Sequence, residues 1–220
     1  MKRIKLADRE MPIYSRGEEW MNMITHTVGG ALGILALVLC ILKSQSVTAV
    51  VCSVVYGLSM ILTYTVSAVY HALTDGMAKR VMQVMDHCCI YSLIAGTYTP
   101  IVVCAIAPTY PKIGWGLFAL QWGLAALAVT LTAIDLEKYK VFSMICYIFL
   151  GWAVIFFIPE TVAVMGSVGF GFLLAGGITY TVGAILFGLG NKIRWMHSVF
   201  HIFVVLGSAL QLVCILYSVL

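Results

Sequence analysis

Beyond its first twenty residues the chain is a series of long apolar runs separated by short polar stretches. Seven such runs are read, at roughly 20–42, 48–73, 83–106, 114–134, 141–158, 164–189 and 195–219. An α-helix rises 1.5 Å per residue, so about 20 apolar residues cross the roughly 30 Å hydrocarbon core of a bilayer. The pattern therefore predicts an all-α integral membrane bundle of seven transmembrane helices, the fifth of them a little short. The connections are short, which favours antiparallel neighbours. Residues 1–220 read as a single transmembrane domain, with 1–19 as a short N-terminal segment.

Composition supports this. The chain is 62% hydrophobic and 10% charged, with a mean hydropathy of +1.02, whereas soluble domains are about a quarter charged. No cleavable signal peptide is expected, since the first apolar run is long enough to span. Eleven of the 13 basic residues fall in the N-terminal segment and the second, fourth and sixth connections. The positive-inside rule then predicts a cytoplasmic N-terminus and a C-terminus outside, in a multi-pass protein of the cell (plasma) membrane. The net charge of +4 is accordingly a topology signal and gives no reason to expect a nucleic-acid partner. The seven cysteines form no C-x-x-C pair and read as small buried hydrophobes. Pro100, inside the third run, predicts a kink there. The glycines of the first and sixth runs predict close helix packing.

Against this background the polar residues inside the runs stand out. On the predicted topology all five histidines fall in the cytoplasmic leaflet. His197 and His201 are four apart at the start of the last helix and share one face, a spacing that suits two imidazoles reaching one metal ion. Ser67 and His71 share a face at the end of the second helix. Glu19, Asn22 and His26 share one on the first. Asp86 is the one acidic residue clearly within a run. A carboxylate in hydrocarbon is costly and is expected to face the bundle interior with a partner. Helices one, two, three and seven are thus expected to close around one inward-opening cavity. His87 is placed about 100° around the third helix from Asp86 and is expected to contact an interface or loop.

Ser67-x-x-x-His71, Asp86 and His197-x-x-x-His201 resemble the signature of the haemolysin III family. That family groups with the adiponectin and progestin receptors among membrane-embedded metal hydrolases that include alkaline ceramidases. Glu19-x-x-Asn22-x-x-x-His26 and the stretch from Asp86 to Pro100 resemble the bacterial branch. The resemblance spans essentially the whole chain and implies that His71, His197 and His201 bind one Zn²⁺, leaving a position for water. It implies Asp86 as proton acceptor and Ser67 as a hydrogen-bonding catalytic group. Glu19, Asn22 and His26 are read from their shared face as outer partners of the site, a gate or a cap on the first helix. The implied activity is ceramidase-like: hydrolysis of a lipid amide or ester by zinc-activated water, on a membrane lipid entering from the inner leaflet, in the service of membrane-lipid homeostasis.

Three other readings compete. A non-enzymatic sensor or receptor-like regulator would use zinc only to staple helices two and seven. A proton transporter would need polar groups continuing outward, and none is seen. Direct pore formation fits poorly with a chain made of constitutive membrane spans.

Overall fold

The computed structural model describes residues 6–190 and 192–220. Lys2, Arg3 and Lys5, which enter the charge pattern, lie outside them. The described residues contain seven α-helices and no strand: α1 Arg16–Lys43, α2 Val47–Ala72, α3 Met77–Pro100, α4 Pro111–Ile134, α5 Leu136–Gly151, α6 Ile158–Gly190 and α7 Met196–Ser218.

Local chemistry sets several helix starts. Ser15 caps α1 in a capping box, its hydroxyl facing the Glu18 backbone N–H while the Glu18 carboxylate reaches back to the Ser15 N–H. Ser46 caps α2 and Asp135 caps α5 through the same side-chain-to-backbone bond. Pro111 opens α4, where its missing N–H costs nothing.

Six runs are long and apolar enough to cross a membrane, not the seven expected. The fifth and sixth expected spans fall in one run of 55 residues, Leu136–Gly190. A straight helix of that length would measure about 80 Å. The run instead bends through a 3-10 turn at Ala153–Phe157. It then breaks at Gly166, where φ is +69° and ψ 168°. The Trp152 indole N–H donates to Thr181 Oγ1 at 2.9 Å, although the two residues are 29 apart in sequence. The run therefore doubles back between these two residues, with the 3-10 turn and Gly166 both inside the reversal. The connection expected at 159–163 is helical, and the break after it falls on a glycine whose backbone an L side chain would strain.

α1 and α7 run parallel. At one end the Trp195 backbone N–H donates to Glu18 Oε1 at 2.7 Å; at the other Lys43 Nζ donates to the Leu216 carbonyl. α2 and α6 flank this pair. Tyr64 of α2 and Tyr180 of α6 both meet Ser208 of α7, at 2.6 and 2.7 Å.

The third expected span also changes character. The α-helix ends at Pro100 and continues as a π-helix over Ile101–Ile106, closed by Ala107 N–H on the Val102 carbonyl at 2.8 Å. Trp122 of α4 donates from Nε1 to Thr99 Oγ1 at 3.1 Å. All seven cysteines are unpaired thiols, five of them buried.

Lipid offers no hydrophobic drive between helices, so close contact depends on small residues. At Gly96 of α3 an added Cβ would fall 2.1 Å from Ser59 Oγ and 2.6 Å from Ser59 Cβ on α2. Gly96→Ala is therefore expected to push α2 from α3 and destabilise the protein by about 1–3 kcal/mol. Gly123→Ala on α4, where nothing lies within 4 Å of the added carbon, is expected to be neutral or slightly stabilising. Thermal unfolding in detergent checks the pair, and equal midpoints would contradict this packing.

Candidate metal centre

The parallel start of α1 and α7 places the end of α2 between them. His71, three percent exposed, reaches out of the last turn of α2, and His197 and His201 out of the first two turns of α7. One ring nitrogen from each lies within 4.8 Å of the others. His197 Nε2 and His201 Nε2 are 3.1 Å apart. Two imidazoles bound 2.0–2.1 Å from a tetrahedral ion would be separated by about 3.3 Å.

The tautomer of His71 follows from its neighbours. Its Nδ1 lies 2.6 Å from Glu19 Oε2, and so short a contact with a carboxylate requires Nδ1 to carry the proton and donate. Nε2 is then a bare lone pair. It is buried and has no hydrogen-bond partner among the described residues. An orphaned acceptor beside two further imidazole nitrogens fits a metal ligand, and a carboxylate behind the ligating histidine is the usual means of orienting one. The three histidines could therefore hold a divalent ion.

Aromatic rings enclose the cluster. His26 of α1 stacks on His201 with ring centroids 3.7 Å apart, and neither His26 nitrogen has a partner among the described residues. Tyr14, just before α1, stacks on His197 at 4.7 Å. Burial raises the pKa of the Tyr14 phenol, with Glu19 adding to the effect, so it stays neutral. The segment carrying Tyr14 is tied down further along: Arg9 Nη2 donates to Gln83 Oε1 at 2.8 Å, and Arg80 holds the Leu6 and Arg9 carbonyls.

In front of the cluster lies a cavity of about 810 Å³. His26, Ser67, Asp86, His197 and His201 line one end, and Tyr98, Phe170 and Gln211 line the other. His201 and Gln211 are ten residues apart on α7, so the cavity extends about 15 Å into the bundle. Ser67 Oγ is buried and has no partner among the described residues. It differs in this from Thr63 one turn earlier, whose hydroxyl meets the Ser59 and Cys89 carbonyls. Asp86 is half-buried on the same wall. His71, Glu19 and Asn22 sit behind that wall. Asn22 Nδ2 lies 3.4 Å from His71 Nδ1.

Two features depart from expectation. His87 also lines the cavity, because the cavity is wide enough to take both flanks of α3; its Nδ1 meets the Gln83 carbonyl at 2.8 Å and its ring packs on Phe187. Lys79, read from sequence only as a topology charge, is buried and reaches Glu19 Oε1 at 2.6 Å. Its position beside a short connection gave no sign of that.

The family model described as "Haemolysin-III related" matches residues 14–212. The chain belongs to the haemolysin III family. Among haemolysin III relatives, "Hemolysin-3" of Bacillus cereus is 38% identical over 206 residues, 92% of each chain. "Hemolysin-3 homolog" of Bacillus subtilis (strain 168) is 34% identical over 203 residues, 91% of this chain and 93% of that one. More distantly, the human "Monocyte to macrophage differentiation factor" is 25% identical over 167 residues, 71% of this chain and 66% of its own. The haemolysin III match takes in every residue of the cluster and its outer partners.

Metal-free protein dialysed against Co²⁺ is expected to take up about one ion per chain. The double variant His197→Ala with His201→Ala is expected to take up none. Equal uptake by both proteins would remove these histidines as ligands.

Proposed function

We propose that this haemolysin III protein is a zinc-dependent intramembrane hydrolase of lipid amide or ester bonds. The observation that carries the reading is the orphaned, carboxylate-oriented His71 beside His197 and His201, opening on a cavity that also holds Asp86 and Ser67. His71, His197 and His201 would hold Zn²⁺, an ion suited to three imidazoles with one position left over. Bound there, zinc supplies Lewis acidity and a nucleophile from water near neutral pH.

The chain's own groups do the rest. An Asp86 carboxylate oxygen accepts a proton from the attacking water and returns it to the departing nitrogen or oxygen, so water and the acyl bond become acid and amine or alcohol. Ser67 Oγ–H donates to the substrate carbonyl oxygen as negative charge develops there. The deep end of the cavity binds the acyl chain by apolar burial. The N-terminal segment, fixed through Arg9 and Tyr14, limits water at the mouth.

Orientation follows the charges. Lys79, Arg80 and Arg194 stand at the end of the bundle that carries the histidines. We therefore read that end as cytoplasmic, and the substrate as a lipid of the inner leaflet. The five residues act together only if the whole chain is one membrane domain.

The test is turnover of a panel of ceramides and fatty-acid esters by zinc-loaded protein in detergent or nanodiscs. Hydrolysis of at least one class is expected, and Asp86→Asn is expected to lower kcat by about 10²–10⁴-fold while keeping the zinc. Bound zinc with no turnover across the panel would overturn the hydrolase and favour the non-enzymatic regulator, in which the ion only joins α2 to α7.

A further inference from the structure

The histidine cluster leans on a lysine to which neither catalysis nor metal ligation gives a role. Lys79 lies in the first turn of α3 and is five percent exposed, unusual for a residue type almost always at the surface. Its ammonium lies 2.6 Å from Glu19 Oε1 on α1 and 2.9 Å from the Leu73 carbonyl at the end of α2. It also sits 5.4 Å from the centroid of the Tyr70 ring. One charge thus joins α1, the end of α2 and the start of α3. The other Glu19 oxygen receives the proton of His71 Nδ1.

Two groups compete for that nitrogen. Glu19 accepts from it at 2.6 Å, whereas the Asn22 amide, at 3.4 Å, could only donate to it. If Asn22 prevailed, Nδ1 would become the acceptor and the imidazole proton would move to Nε2, removing the lone pair that faces His197 and His201. The outcome depends on Glu19 keeping its present rotamer. Glu19 is held in that rotamer by Lys79, which occupies one carboxylate oxygen and so turns the other toward His71.

We infer that Lys79 is a positioning residue for the metal site, acting through Glu19 to set the tautomer and orientation of His71. The inference rests on reading the three histidines as ligands. An ordinary surface ion pair would do little, but here the lysine is buried and Glu19 half-buried, and removing Lys79 leaves the carboxylate without its cation. Glu19 then turns toward water, and Asn22 is left as the polar neighbour of Nδ1.

The test is zinc affinity, measured by competition with a chromophoric chelator on intact detergent-solubilised protein, with thermal unfolding of the metal-free forms alongside. Lys79→Met is expected to bind zinc about 10–100-fold more weakly than wild type, the range found when outer partners of metal ligands are removed. Lys79→Arg, which keeps the charge, is expected to recover most of the loss. Glu19→Gln is expected to lose a similar factor, and the double variant no more than the worse single one. Lys112→Met, at an exposed lysine at the start of α4, is expected to match wild type. If Lys79→Met does not fold, Lys79→Gln carries the same comparison. Wild-type affinity in a folded Lys79→Met, or losses that add in the double variant, would overturn the inference and leave the metal reading standing. Failure of the wild type itself to bind zinc would overturn both.

Discussion

The parallel docking of the first helix against the last is the constraint on which the site depends. Glu18 makes that junction. The same carboxylate closes the capping box on Ser15 and receives the Trp195 N–H. Trp195 takes a left-handed backbone, φ +69°, rare for a bulky side chain. With both starts fixed at one level, His197 and His201 come beside His26, and Glu19 faces the end of α2. Hydrocarbon enforces the arrangement, since a polar group there has no water to fall back on and must find a partner in the protein.

Those partners are not complete, and several of the exceptions gather at the histidine cluster. His71 Nε2, His201 Nδ1, both His26 nitrogens and Ser67 Oγ are buried without hydrogen bonds among the described residues. In a membrane protein such a group is either a cost or a place reserved for something else. Their gathering around the histidine cluster and the cavity wall in front of it argues for the second. The same wall continues into an apolar interior, so polar chemistry and apolar binding occupy one continuous space.

Much of this was legible in the sequence, and the rest was not, for physical reasons. Helical periodicity puts His197 and His201 on one face whatever the tertiary structure, and the alternation of basic connections puts all five histidines at one depth. Glu19, Asn22 and His26 were readable as one polar face. Which of them meets His71 depended on side-chain reach, which spacing does not encode. Lys79 could not be read because lysines beside connections are usually solvated. His87 was misjudged because a cavity wide enough for both flanks of a helix leaves no periodic signature. The joined fifth and sixth spans share that origin: Gly166 is one of several glycines in its run, and only the backbone distinguishes the one that breaks the helix from those that pack.

The π-helical stretch after Pro100 shapes the end of the third span away from the histidines. At 3.6 residues per turn, Ile106 would stand about 140° around the axis from Ile101. Bonding from each residue to the fifth one on winds the backbone wider and brings Ile106 closer to the side of Ile101. Ile101, Val102 and Ile106 are all fully buried. The wider coil therefore gathers onto one side three large side chains that an α-helix would have spread toward lipid. It also re-phases everything beyond Pro100 relative to Asp86. The cavity-lining residues before Pro100 and the buried stretch beyond it are thus aimed independently, although α4 packs against both.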